Sequence, residues 1–350
     1  MKTSDSITIL QQLISTPSFS KNEGKTAEII LSALKTFGAE PIRIGNNIIA
    51  HTPAAAGLPI VLLNSHHDTV KVSEGWKKDP FGAELKDEVL YGLGSNDAGA
   101  SLVSLMNCFI HYQQAGGLPF QLFFIASAEE EISGKGGLEL ALRELDLQPD
   151  VAIVGEPTQC QMAVAEKGLI VIDGEATGIA GHAANQHGNN AIYHAMKDIQ
   201  WLENYTFARQ SEWLNQVKVT VTQIEAGYQH NVVPDVCKFV IDCRVNDQYS
   251  FEDFLEILKA NCSSTLSPRS LRLKPSSIAI DHALVQRGKS MGLTAYGSNT
   301  MSDQVFLTCP SLKIGPGDSL RSHQADEYIR IEEIEQGIST YKELLDGLKI

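Results

Sequence analysis

Apolar residues along the chain keep two different rhythms, and the change between them divides it. Near the amino terminus Ile7, Leu10, Leu13 and Ile14 share one helical face, and Ala27, Ile30, Leu31, Leu34 and Phe37 repeat that spacing. Two amphipathic helices are expected there. Three unbroken apolar runs come next: Ile60-Val61-Leu62-Leu63, Leu122-Phe123-Phe124-Ile125-Ala126 and Val151-Ala152-Ile153-Val154. Such runs suit strands covered on both faces, as in a mostly parallel sheet under helices. Leu102, Leu105, Met106 and Phe109 mark a helix between the first two runs. Strands alternating with helices predict an α/β layer fold, in which ligands gather beyond the carboxyl ends of strands.

From about Gly168 the rhythm shifts to alternation. Strands are expected at 169–177, 217–221, 238–245 and 270–274, with helices at 190–202 and 251–258, the latter capped by Ser250. The order β-α-β-β-α-β is that of a ferredoxin-like unit. The α/β pattern resumes near Ile280. The fold class is therefore α/β with two domains: 1–167 and 279–350 build a mixed, mostly parallel sheet, and 168–278 is an inserted ferredoxin-like α+β domain. Alternating strands need only one covered face, which leaves an edge free to pair with another subunit.

The chain has 350 residues, 43% of them hydrophobic, enough for two cores. A formal charge of −14 without a long basic run argues against nucleic acid or an anionic membrane as the partner. Six cysteines show no paired C-x-x-C spacing and read as reduced, structural thiols. No secretory signal and no run of eighteen apolar residues is present, so a soluble cytoplasmic protein is expected.

Short polar segments stand at the ends of the apolar elements. In Asn64-Ser65-His66-His67-Asp68, His66 and Asp68 project to one side of a strand end while His67 points away. This makes His66 the candidate ligand and Asp68 the carboxylate that accepts from its second nitrogen or orients the site. Asp97 follows Gly92 and Gly94, whose backbone freedom permits a tight turn. Glu129-Glu130-Glu131 packs like charges that repel unless solvated or neutralised by a cation. Glu156 lies just past the third apolar run, and His323 follows Gly315-Pro316-Gly317. Each segment alone also fits a cap, a turn or an acidic helix start. Together they supply nitrogen and oxygen donors suited to a pair of borderline metals such as zinc. Gly92-Leu93-Gly94 lacks the third glycine and the later acid of a dinucleotide fold.

These segments, their order and the inserted domain resemble the co-catalytic metallopeptidase family that holds acetylornithine deacetylase, succinyl-diaminopimelate desuccinylase, aminoacylase and several carboxypeptidases. The resemblance runs from about Ile7 to Leu345. It implies a catalytic domain formed by 1–167 and 279–350, with 168–278 as lid and dimerisation domain. It further implies two divalent ions, zinc or else cobalt or manganese, one held by His66, Asp97 and Glu156 and the other by Glu131, Asp97 and His323. Asp97 would bridge them and Glu130 would be the general base, with Glu129 in a place often filled by Asp. His182, in Gly181-His182, matches a histidine that reaches into the neighbouring subunit's site, implying a homodimer. Asn231 and Arg244 match positions that hold the substrate's polar groups, and Arg244 suits a carboxylate. The implied activity is hydrolysis of an N-acyl amino acid, N-acetylornithine first, with N-acetylcitrulline, N-succinylornithine, N-acetyllysine, succinyl-diaminopimelate and small peptides as alternatives. In one respect the chain departs from the family: Asp97 is followed by Ala98-Gly99-Ala100 where a Lys-Gly pair is common. A non-enzymatic binder on this fold would have lost a ligand or Glu130, and all are present.

Overall fold

In a computed structural model that describes residues 1–53, 57–185 and 188–350, the chain divides into two units. The first comprises Met1–Val164, Ser277–Tyr296 and Ser302–Ile350, and the second Ala165–Ser276 with Gly297–Met301.

The three apolar runs become the centre of the first unit's sheet. The Ile60–His66 strand pairs in parallel with Gln121–Ser127 on one side and Val151–Val154 on the other. Ser311–Lys313 continues the parallel set beyond Val151–Val154. Asn47–His51 adds an antiparallel strand outside Gln121–Ser127, and Ile42–Ile44 forms the edge. Alternate side chains serve opposite faces. Leu62, Ile125 and Ala152 pack with Leu138 and Ala141 of the Leu138–Glu144 helix. On the other face Phe124 meets Phe109 of the Ala100–Ala115 helix, ring centroids 5.8 Å apart. That helix is buried almost all round because the amino-terminal helix Thr3–Ile14 and the carboxy-terminal helix Ile331–Leu345 cover it. Each fully buried Leu, Ile or Phe contributes roughly 1.5–3 kcal/mol. The long apolar runs therefore commit these segments to the interior more firmly than any local propensity.

The four parallel strands end on the same side of the sheet, at His66, Ser127, Val154 and Lys313. The segments leaving those ends carry His66, the glutamate run, Glu156 and His323.

In the second unit the sheet order is Lys218–Ala226, Val236–Val245, Gly168–Thr177, Thr265–Pro268, all antiparallel. Inward residues of the two central strands, Ile170, Ile172, Cys237, Phe239, Ile241 and Cys243, meet the helices Ala191–Asn204 and Phe251–Asn261 in one core. Ser250 caps the second helix, its hydroxyl accepting from the Asp253 N–H. The closing strand is not at 270–274 as the alternation suggested. Pairing runs over Thr265–Pro268, where Leu266 dips into the core, and ends at Pro268, whereas Leu271 is 38% exposed. Gly297–Met301 folds with this unit although it lies beyond the inserted stretch; Gly297 sits so close to the Trp213 carbonyl that a side chain would not fit. All six cysteines are free, and among the described residues no helix is long and apolar enough to cross a membrane.

Candidate metal centre

His66 is buried at the end of its strand, and Nδ1 donates to the Asp68 carbonyl oxygen at 3.0 Å. This hydrogen bond leaves Nε2 as the free donor atom. The Asp68 carboxylate stands farther off, with Oδ1 3.5 Å from Nδ1, so the expected hydrogen bond to the ring is made chiefly by the backbone. The carboxylate serves another purpose. Oδ1 accepts from the Glu130 N–H at 3.0 Å, and Oδ2 accepts from the Glu131 N–H at 3.2 Å and the Ser20 hydroxyl at 2.7 Å. Asp68 thus fixes the 3-10 turn Glu130–Ile132 and aims both glutamates. His67 points away, as alternation requires: Nε2 donates to the Asn46 carbonyl and Nδ1 lies 2.9 Å from the Thr26 hydroxyl. Burial pushes His67 down to about 4, so it is a neutral structural imidazole.

Asp97 lies between the two other ligand groups. Its Oδ1 is 3.3 Å from His66 Nε2, while Oδ2 is 3.6 Å from His323 Nε2. Glu156 Oε1 is 3.7 Å from His66 Nε2, and Glu131 Oε2 is 2.9 Å from His323 Nε2. Glu130 Oε2 is 3.9 Å from His66 Nε2. The donor atoms of His66, Asp97 and Glu131 lie within 4.8 Å of one another, as do those of His66, Glu130 and Glu156, so the two groups share His66. The turn before Asp97 needs its glycine: Gly94 has φ +78°, and a Cβ there would lie 2.7 Å from Thr69. The peptide from Asp97 to Ala98 is cis.

So many acids in one small volume raise each other's proton affinity. Burial drives Glu130 well above the carboxylate range; His66 opposes this, and Glu156, Asp303 and Glu131 reinforce it. Burial lifts Glu156 in the same way, with Asp97 and Glu131 adding repulsion against the pull of His66 and Lys313. Glu131 is also raised by burial, the His323 hydrogen bond opposing. Burial works against a charged His66, yet Asp68 and Asp97 beside it carry it well above the ordinary imidazole value. Glu131 holds His323 up at about 9. Buried Asp97 nevertheless stays low because His66 and His323 face its two oxygens.

Divalent cations fit this donor set. Glu156 Oε1 is buried with no hydrogen-bond partner among the described residues, and the remaining carboxylates repel across distances a cation would bridge. The imidazole and carboxylate mixture is that of zinc and its neighbours.

Three expected site residues belong to the second unit. His182 pairs across a short antiparallel ladder with Val232, next to Asn231, and its Nδ1 accepts from the Ala184 N–H. Asn231 Oδ1 is buried and unpartnered among the described residues. Arg244 is held in a fork by Asp242, Nε to Oδ1 at 2.8 Å and Nη2 to Oδ2 at 3.1 Å.

Sequence reasoning missed three buried carboxylates around the centre. Asp303 receives the Ser127 hydroxyl at 2.5 Å, and burial lifts it to about 6. Glu23 accepts the Glu129 N–H at 3.2 Å. Glu327 accepts the N–H groups of Gly94, Asn96 and Asp97, and burial together with Asp97 pushes it up to about 8. Only Glu327 carried a signal, its place four residues after His323 in the same polar stretch.

The sequence model of peptidase family M20/M25/M40 matches residues 62–347. The acetylornithine deacetylase of Proteus mirabilis is 29% identical over 94% of this chain and 93% of its own length. A succinyl-diaminopimelate desuccinylase of a Ruegeria species is 23% identical, covering 97% of this chain and 94% of its own. Among solved structures, a dinuclear metal-binding peptidase of the M20 family from Bacillus subtilis superposes with TM-score 0.75 at 15% identity, over 98% of this chain and 97% of that one. At that identity the likeness shows the shared fold.

Proposed function

The chain belongs to peptidase family M20/M25/M40, and from that premise we propose that this metal-dependent hydrolase removes the acyl group from an N-acyl amino acid, N-acetylornithine before others. The observation that carries the reading is the position of Asp97, whose two oxygens face different histidines, each histidine having a further glutamate beside it. In this reading His66, Asp97 and Glu156 hold one ion, Glu131, Asp97 and His323 hold the other, and zinc is the native metal, with cobalt or manganese able to use the same donors. Bound there, divalent ions acidify a water and polarise the amide carbonyl.

The protein's own groups do the rest. Glu130, whose N–H is held by Asp68, takes a proton from the attacking water and hands it to the leaving amine nitrogen. His182 of a second copy of the chain steadies the developing charge on the carbonyl oxygen. Asn231 and Arg244 hold the substrate's polar groups, the guanidinium taking the α-carboxylate. An acetyl group needs only a small apolar recess, whereas a succinyl group needs a cation for its second carboxylate. The net charge of −14 agrees with a substrate bearing a side-chain ammonium. The relative from Proteus mirabilis, an acetylornithine deacetylase, supports the same choice, and with it a role in arginine synthesis in the cytoplasm.

Side-by-side kinetics on N-acetylornithine, N-acetylcitrulline, N-acetyllysine, N-succinylornithine, succinyl-diaminopimelate and a tripeptide test the substrate. The acetyl amino acids are expected to show the highest kcat/KM, N-acetylornithine leading. A preference for the succinyl compounds would move the reading to a desuccinylase, and cleavage of the tripeptide alone would make it a peptidase. Light scattering is expected to find a homodimer joined through the inserted domain. A fully active monomer would contradict the role given to His182.

A further inference from the structure

The bridging position of Asp97 is set by a side chain from a distant part of the sequence. Glu327 Oε1 accepts the N–H groups of Asn96 at 2.8 Å and Asp97 at 2.9 Å, and Oε2 accepts that of Gly94 at 3.2 Å. Its residue is 2% exposed, so these hydrogen bonds have little competition from water. A second tie runs beside it: Asn96 Oδ1 accepts the Asp318 N–H at 2.9 Å, and Asn96 Nδ2 donates to the Asp318 carbonyl at 3.1 Å. His323 lies between Asp318 and Glu327. The loop that offers Asp97 and the segment that offers His323 are therefore locked to each other at both ends of the segment.

We propose that Glu327 is a positioning residue for the metal pair, acting through the Gly94–Asp97 backbone to hold the Asp97 carboxylate at the spacing at which its oxygens reach both His66 and His323. The inference rests on the two-ion reading above. Without that clamp, Asp97 is free to turn toward one histidine, and the ion on the exposed His323 side is the one to suffer. His323 is itself 53% exposed by side chain, and its nearest side-chain partners, Glu131 at 2.9 Å and Asp97 at 3.6 Å, belong to the same donor set, so its place depends on where Asp97 is held. Groups that orient ligands in this way are typically worth about 10- to 100-fold in metal affinity.

Glu327→Gln is the informative variant because it preserves size and one acceptor oxygen while turning an N–H donor toward one of the three backbone donors. Metal-binding isotherms with zinc, kinetics and melting curves in chelator are compared for wild type, Glu327→Gln, Glu327→Ala and Asp326→Asn. Asp326 grips the Lys77 and Lys78 N–H groups from the same segment without touching the Asp97 loop. Expected is a weakening of one ion by about 10- to 100-fold in Glu327→Gln, a larger one in Glu327→Ala, lowered kcat and KM within about twofold of wild type. Asp326→Asn should leave both affinities unchanged. Wild-type affinities in Glu327→Gln, or a lowered melting point in chelator with both affinities intact, would overturn the proposal by assigning Glu327 to folding alone. An equal weakening in Asp326→Asn would overturn it too, since any loosening of the segment would then suffice. If the wild type itself binds fewer than two ions, the two-ion reading fails instead.

Discussion

Glu130→Ala is expected to lose turnover by at least about 10²–10⁴-fold while elemental analysis still finds the wild-type metal content. The carboxylate lies inside the cluster, 3.9 Å from Nε2 of His66. Its backbone is fixed by Asp68, so truncating the side chain leaves the turn and the neighbouring Glu131 in place. Glu131→Ala should behave differently, because Glu131 Oε2 lies 2.9 Å from His323 and is needed to close the second donor group. There metal content falls along with activity. Near-normal turnover in Glu130→Ala would remove the general-base role, and metal loss from that variant would make Glu130 a ligand. The second outcome has a structural basis, since Glu130 falls in one of the two donor groups.

Metal removal should abolish activity and leave a protein whose stability falls toward alkaline pH. With chelator present, the carboxyls of Glu130, Glu131 and Glu156 have folded values above their ordinary range, as does Glu327 at about 8. A raised carboxyl favours folding while it holds its proton and loses that contribution as pH climbs through the raised value. His66 and His323 are raised as well, His323 to about 9, so their contribution is full below about 6.5 and fades on the same alkaline path. Asp68 and Asp97 are lowered, so their contribution is complete above the ordinary carboxylate range and constant in this interval. His67, lowered to about 4, is neutral in both states above about 6.5 and adds no slope there. Chelated protein is therefore expected to melt at progressively lower temperature between about pH 6.5 and 9. Protein loaded with zinc gains about 4.1 kcal/mol per site at a thousandfold excess over Kd, and its advantage widens with pH as protons no longer compete for the donors. Melting curves with and without chelator across this interval decide it. A chelated protein that grows more stable toward pH 9 would show that the acids are not crowded as the geometry has them.

Part of this candidate centre is legible without coordinates because His66, the glutamate run and Glu156 follow buried strands. The runs ending at Leu63, Ala126 and Val154 are apolar enough to dictate strands covered on both faces, and the polar residues just past them must then emerge together at one edge of the sheet. Alternation at the end of the first strand correctly separated His66 from His67, which turns to Thr26 and Asn46. The same alternation misled at 270–274, where Leu271 is exposed and Pro268, which has no N–H to give, has already closed the ladder.

Sequence by itself determined the strand order's raw material and the kinds of donor available, since hydrophobic periodicity is a local property and so are residue types. The tertiary structure alone decided which acids face one another and which merely hold a backbone in place. Asp68 was expected to accept from the second nitrogen of His66 or to orient the site; its Oδ1 stands 3.5 Å from that nitrogen, and its oxygens accept the Glu130 and Glu131 N–H groups. Glu23, Asp303 and Glu327 were unremarked acids until folding buried them against the glutamate turn, Ser127 and the Asp97 loop. A carboxylate's task depends on which donors burial leaves within about 3 Å of it. Those donors come from segments far apart in the chain, from 62 positions between Asp68 and Glu130 to 231 between Asn96 and Glu327.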